Sequence, residues 1–302
     1  MKIKPLVKVA QRWVEANAFG PYSIAYERIY GVLGRRAQSH YLDAGVGVEP
    51  LRKLEISTVK TSNTVFILGS GASVNHYTGA EWGRIRSADS IGFNSWLIHD
   101  FVPTVYVAEP HLPPRDKTYY ELLEQRAEAY VGVPFIIKPT FSTVLDVARI
   151  PAPLRGNVYA ARIQALPGTT PADTEQAYRR FAAPYLSDRD VIAQKRSSAD
   201  GLIYLAAKWG YEHIVLCGID LSNTAYFYEE KADEYRRKGR SVPTTGQTGT
   251  THRTMDHTVG HATADTAIYA LSDTLLSDRG ITLWTALSSS ALSPRLPTYF
   301  DR

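Results

Sequence analysis

Short apolar runs recur along the chain, separated by stretches in which apolar residues return every three or four positions. The runs read as buried strands: TVFILG (64–69), SIGFN (90–94), TVYVAEP (104–110), PFIIKP (134–139), NVYAARI (157–163), HIVLCGID (213–220) and GITLWTAL (280–287). The intervening stretches KTYYELLEQRAEAY (117–130), DGLIYLAAKWG (200–210) and ATADTAIYALSDTLLSDRG (262–280) have helical periodicity. Apolar strands alternating with amphipathic helices predict an α/β fold, a doubly wound, mostly parallel, Rossmann-like sheet. No internal repeat interrupts this order.

Two segments break the rhythm. Residues 229–257, EEKADEYRRKGRSVPTTGQTGTTHRTMDH, begin with charge and end in Gly, Thr and Pro. Long excursions inside compact domains are mostly lids or binding loops, so a lid at about residues 222–260 is expected, with a surface insertion of no role as the alternative. Residues 1–60 mix Lys2, Lys4, Lys8, Arg12, Arg28, Arg35 and Arg36 with Trp13, Phe19, Tyr22, Tyr26 and Tyr30. They read as a helical N-terminal extension to a main domain of residues 61–302. Its aromatics either pack on that domain or contact an anionic membrane or an acidic partner.

Charge sharpens that division. The chain carries +4 overall, and ten Lys/Arg against five Asp/Glu within residues 1–60 place +5 there. The remainder is nearly neutral and has no nucleic-acid motif, so nucleic acid is not an expected partner. With 302 residues and 44% hydrophobic content, a sizeable core is assured. A single cysteine, Cys217, excludes an internal disulfide framework and fits a reducing, cytoplasmic setting. No run reaches the ~18 apolar residues of a spanning helix, and the N-terminus lacks a signal-peptide core.

The chemistry-bearing residues begin with Gly69-Ser70-Gly71-x-Ser73, directly after the first predicted strand. Two glycines would let backbone N–H groups approach an anion, and Ser73 adds a hydroxyl at the expected helix start. A tight turn ending a buried strand would need the same residues. The third glycine of the dinucleotide fingerprint is replaced by Val74, and the P-loop lysine is absent. His261, with His257 and Asp256 nearby, is a general base, a structural histidine or part of a metal site. The D-x-D at Asp188–Asp190 lies in a charged linker and is read as chance.

The blocks KRSSADGLIYLAAKWGYEHIVLCGIDLSNTAYFYEE (195–230), DHTVGHATADTAIYAL (256–271) and LWTALSSSALS (283–293) add order to these signals. With the Gly69–Ser73 turn and Asn94, they resemble the bacterial sialyltransferases of glycosyltransferase family 42 over about residues 62–293. The resemblance implies a variant GT-A-type nucleotide-binding domain with a lid and no metal or other cofactor. The implied donor is a CMP-activated sugar acid, sialic acid or a relative such as Kdo. It would be passed to a glycan or glycolipid acceptor, in lipopolysaccharide or capsule synthesis at the inner membrane.

By position, the resemblance implies that Gly69, Ser70, Gly71 and Ser73 hold the phosphate and ribose region and that Asn94 contacts the nucleotide. Ser197 and Ser198 would lie near the sugar carboxylate or phosphate, and Gly218 and Asp220 would shape the cytidine pocket. Tyr226 and Tyr228 would assist departure of the leaving phosphate, and His261 would deprotonate the acceptor. Where the family has NPG the chain has AEPH, so Glu109 replaces an asparagine. Glu109 and Asp200 as paired carboxylates would permit a covalent, retaining route; polar contacts or a helix cap are the alternative. A pterin-type diphosphokinase using ATP and a divalent ion, and a non-catalytic nucleotide- or glycan-binding module, are the rival readings. Homo-oligomerisation stays open.

Overall fold

A computed structural model describes residues 18–19, 23–110, 115–141, 143–243, 252–256 and 262–300. Its main sheet has eight parallel strands: β1 (Val48–Pro50), β2 (Thr64–Leu68), β3 (Asp89–Phe93), β4 (Val105–Ala108), β5 (Phe135–Ile137), β6 (Val158–Ala160), β9 (His213–Cys217) and β10 (Thr282–Thr285). Their spatial order is β1-β6-β5-β4-β3-β2-β9-β10. A second parallel pair joins β7 (Arg162–Ala165) to β8 (Val191–Gln194).

The apolar runs become strands because both faces of the sheet are covered. In β2, Val65 and Ile67 enter one core while Phe66 and Leu68 enter the other, the period of two that pleating imposes. Helices α5 (Ser198–Lys208) and α8 (Ala264–Leu271) supply Leu202, Ile203, Ile268 and Leu271 to the first core. Helix α3 (Arg115–Arg126) supplies Tyr119, Leu122 and Leu123 to the second. Chain direction across the sheet reverses between β2 and β9, since β3 lies on one side of β2 and β10 on the far side of β9. A ligand crevice forms by geometry outside the carboxyl ends at such a reversal.

The predicted strands appear, most of them shorter by one to four residues, and NVYAARI splits at Ala161 into β6 and β7. Three differences matter. Helix α1 (Ser23–Leu42) buries Tyr26, Tyr30 and Tyr41 in the two cores, and β1 is the edge strand of the main sheet on β6. A boundary at residue 60 therefore cuts through the domain. The excursion is also part of the body where it is described: α6 (Phe227–Glu230) and α7 (Ala232–Arg237) bury Phe227, Tyr228 and Tyr235. Lys238 and Arg240 bind Asp100 across the chain. Finally, α8 continues as a π-turn over Ser272–Leu276 and a 3-10 turn ending at Gly280, whose φ of +67° stops it. Helices α2 (Gly79–Arg86) and α4 (Pro171–Ala177) complete the covering layers, each started by a threonine capping box.

Candidate active site

The carboxyl ends of β2, β3, β4, β5, β8 and β9 surround a cleft of about 540 Å³. Gly69, Ser70, Gly71, Asn94, Glu109, Ser197, Ser198, Gly218, Asp220, Tyr226 and Tyr228 all line it. So do Lys138, Gln194, Lys195, Arg196 and His252, which were not singled out from the sequence. His261 and its neighbour His257 lie outside the described residues.

The turn after β2 is closed by the chain itself. Gly69 N–H donates to Cys217 O and Gly71 N–H to Gly218 O, each at 2.7 Å. A Cβ on either glycine would enter the Gly218 carbonyl, so their smallness serves backbone-to-backbone approach. The Asp220 carboxylate takes the N–H of Ser73 at 3.0 Å and also its hydroxyl. Ser73 is buried and does not line the cleft, and the element it opens, Ala72–His76, is a 3-10 turn. The expected phosphate donors are thus already committed, Gly71 N–H to the Gly218 carbonyl and Ser73 to the Asp220 carboxylate. Ser70 O instead accepts the N–H of Phe227 at 3.0 Å, tying α6 to this turn.

Asp220 has a parallel at the start of α5. Ser197 caps the helix in a box with Asp200, which is fully buried. Asp200 accepts the N–H groups of Lys195, Arg196 and Ser197, the Ser197 hydroxyl, and the Tyr178 hydroxyl at 3.3 Å. The carboxylate is spent on these bonds and absent from the cleft lining, so the paired-carboxylate expectation loses one member to the helix cap. What remains open at this helix start are the N–H groups of Ser198 and Ala199, which have no acceptor among the described residues.

Glu109 occupies the floor of the cleft. It forms an ion pair with Lys138, accepts the Ser198 hydroxyl at 2.6 Å and meets the Asn94 amide at 3.3 Å. Burial pushes its carboxyl up, but Lys138, Ser198 and Asn94 outweigh burial and hold it below the usual range. Lys138 is almost fully buried and also donates to Gln194. Asn94 adopts φ +51°, a left-handed conformation rare for a side-chain-bearing residue. Its Oδ1 is buried without a protein partner, and so is Arg196 Nε. Leu221, the other described residue besides glycine with positive φ, also lines the cleft, so the backbone strain of the described residues gathers there.

In the same cleft, the rings of Tyr226 and Tyr228 stack with centroids 5.3 Å apart and planes 3° from parallel. His252 stands edge-on to Tyr226 at 6.4 Å. Its Nδ1 lies 2.8 Å from the Thr254 hydroxyl and 3.3 Å from the Thr254 N–H. Burial lowers its pKa, with Asp220 pulling weakly the other way, so the neutral ring is favoured. The D-x-D carboxylates lie elsewhere: Asp188 pairs with Arg162 and Asp190 with Arg52. Among the described residues, no three or more His, Cys, Asp or Glu side chains gather within reach of one metal ion. No described helix is long and apolar enough to cross a membrane.

No protein-family model matches the chain, and no curated protein matches it. Among solved structures it is similar to the monofunctional α-2,3-sialyltransferase Cst-I from Campylobacter jejuni, with 14% identity, a TM-score of 0.44, and 79% and 81% of the two chains covered. It is similar also to the sialyltransferase CstII from Campylobacter jejuni in complex with the substrate analogue CMP-3FNeuAc, with 18% identity, a TM-score of 0.42, and 78% and 85% covered. A third is the apo α-2,3-sialyltransferase from Campylobacter jejuni, with 14% identity, a TM-score of 0.43, and 82% and 85% covered.

Proposed function

We propose that the protein is a glycosyltransferase that moves a sialic acid or a related ulosonic acid such as Kdo from a CMP-activated donor to a glycan acceptor, in lipopolysaccharide or capsule synthesis. The observation that carries this reading is the set of donors without acceptors on one wall of the cleft. Arg196, whose Nε is buried without a partner, and Ser198 and Ala199 at the open start of α5 line the same cavity as two stacked phenols. A helix N-terminus favours an anion by about 0.3–1 kcal/mol, and each hydrogen bond to a charged group adds about 1.5–3 kcal/mol. A monoanionic phosphate or a sugar carboxylate suits this set.

In this reading the donor's phosphate is held by Arg196 and the start of α5. As the bond to the anomeric carbon breaks, negative charge grows on the leaving CMP phosphate, and in this reading the hydroxyls of Tyr226 and Tyr228 and the ring of His252 stabilise it. The proton of the acceptor hydroxyl goes to a base, the role assigned to His261 on the resemblance. Asp200 is enclosed and Glu109 is bound to Lys138, so direct displacement is favoured over a glycosyl-enzyme route. The same facts weigh against a diphosphokinase. A nucleoside triphosphate–metal site needs free carboxylates, and both cleft carboxylates are engaged by Ser73 and Lys138.

Calorimetry with CMP, CTP and ATP in EDTA, followed by mass spectrometry of mixtures offered CMP-Neu5Ac and CMP-Kdo separately, tests the proposal. CMP binding without metal and transfer or hydrolysis of one donor are expected. ATP binding that needs a divalent ion would replace this reading with the kinase. CMP binding with both donors left intact would reduce the protein to a binding module.

A further inference from the structure

Six large apolar side chains stand exposed among the described residues, and five of them border one element, α1. Ile29, Val32 and Leu33 form an exposed stripe that runs alongside the buried face of Tyr26, Tyr30 and Tyr41. The other two, Phe141 and Val144, belong to the segment that runs beside the helix. Phe141 meets Tyr30 edge-on at 5.8 Å, and Leu145 N–H donates to the Tyr41 hydroxyl at 3.0 Å. The stripe is framed by the exposed Arg28, Arg35 and Arg36. Glu27, the helix's single acid, is half-buried and accepts the Tyr185 hydroxyl at 3.0 Å.

We propose that this face of α1, with Phe141 and Val144, is a docking surface for an anionic lipid bilayer. An apolar centre beside three arginines, on a helix whose single acid is half-buried, matches the acyl boundary and the negative headgroups in turn. A second copy of the chain fits poorly, because a symmetric contact would bring the three arginines of each copy toward those of the other. Nucleic acid would not call for the apolar centre. Phe141 and Thr140 also line the cleft, so docking sets the cleft mouth beside the bilayer. Resting on the transferase reading, this means that the acceptor is a glycan carried on a lipid.

Flotation of the full chain with phosphatidylcholine vesicles, with and without phosphatidylglycerol, tests the surface. Binding that requires phosphatidylglycerol and weakens with salt is expected. Exchange of Arg28, Arg35 and Arg36 for Gln should weaken partitioning by about fivefold per arginine. Exchange of Ile29, Val32 and Leu33 for Ser should weaken it by about tenfold or more. The thermal midpoint of each variant should match the wild type, since none of these side chains packs in the core. Vesicle binding by either variant at the wild-type level would overturn the proposal. So would sedimentation velocity showing a vesicle-free wild-type dimer that the serine variant breaks. Vesicle binding by a protein that ignores CMP would support the docking face and count against the transferase reading alone.

Discussion

Replacing Lys138 by Met removes the one cation among the described residues that touches Glu109 on the cleft floor. The lysine side chain is 2% exposed and the glutamate 18%, so little water is available to take over. Glu109 would keep the Ser198 hydroxyl and the Asn94 amide, but a buried carboxylate stripped of its ion partner costs about 3–5 kcal/mol. At about 2 °C per kcal/mol for a domain this large, the melting midpoint should fall by about 6–10 °C. The pH dependence identifies the cause. In the wild type the Glu109 carboxyl is held low, so its contribution is present above the ordinary carboxyl range and is lost as pH falls through the lowered value. In Lys138→Met, burial is no longer outweighed, the carboxyl moves up, and protonation relieves the penalty. The deficit should therefore be larger at pH 7.5 than at pH 5.5. Lys138→Met/Glu109→Gln should recover at least half of it, since no charge is then buried alone. Differential scanning calorimetry of the three proteins at both pH values is the assay. A deficit that is equal at the two pH values, or a double variant no better than the single one, would refute the ion-pair argument.

Two further outcomes follow from neighbouring contacts. His99 packs against both Trp82 and Trp96, with centroids 4.9 and 4.6 Å away, and accepts the Phe101 N–H at 3.0 Å; burial pushes its pKa down to about 4. A histidine with a lowered folded pKa stabilises the fold above its ordinary value of 6.5 and loses that contribution as pH falls toward 4, a change of up to about 3 kcal/mol. Urea unfolding from pH 7 to 4.5 should show this slope in the wild type and a flatter one in His99→Leu; parallel slopes would remove the assignment. Tyr226→Phe and Tyr228→Phe should each lower turnover by about 100-fold, the cost of one transition-state donor, with CMP affinity nearly unchanged in calorimetry. A matching loss of affinity would make the phenols ground-state contacts.

The sequence made some of these features readable and hid others for physical reasons. VFIL in β2 announced a strand buried on both faces because burial on both faces removes polar residues from it. The strand VEP at β1 carried no such mark, since three residues are a strand only by pairing with β6. Lys138 read as an ordinary strand-end cation. Its burial follows from register: Ala108 lies opposite Ile137, so the next residues of the two parallel strands, Glu109 and Lys138, leave the sheet side by side. A signal was present in the matched endings, Glu109-Pro110 and Lys138-Pro139, opposite charges each followed by a strand-ending proline. The aromatics of α1 were legible as packing residues, but not the fact that they pack in both cores and so belong to the domain.

The two serine-bearing turns show where a motif and its chemistry separate. Gly69–Ser73 and Lys195–Ser198 both have the composition of anion cradles, and each does hold an anion: the carboxylate of Asp220 in the first and of Asp200 in the second. An internal carboxylate meets the same backbone donors a phosphate would, and it is covalently present at all times, so it wins wherever the chain can place it. The Asp220 contact fastens the β2 turn to the β9 turn, and through Ser70 O that turn anchors α6, which carries Tyr228 and begins beside Tyr226. The Asp200 contact fixes the start of α5 while leaving the Ser198 and Ala199 N–H groups outside its reach. These aspartates hold the two walls of the cleft in place, and an incoming anion is left with the donors they do not use. On the proposed reading, that division leaves the recognition of the ligand to Arg196 and the start of α5.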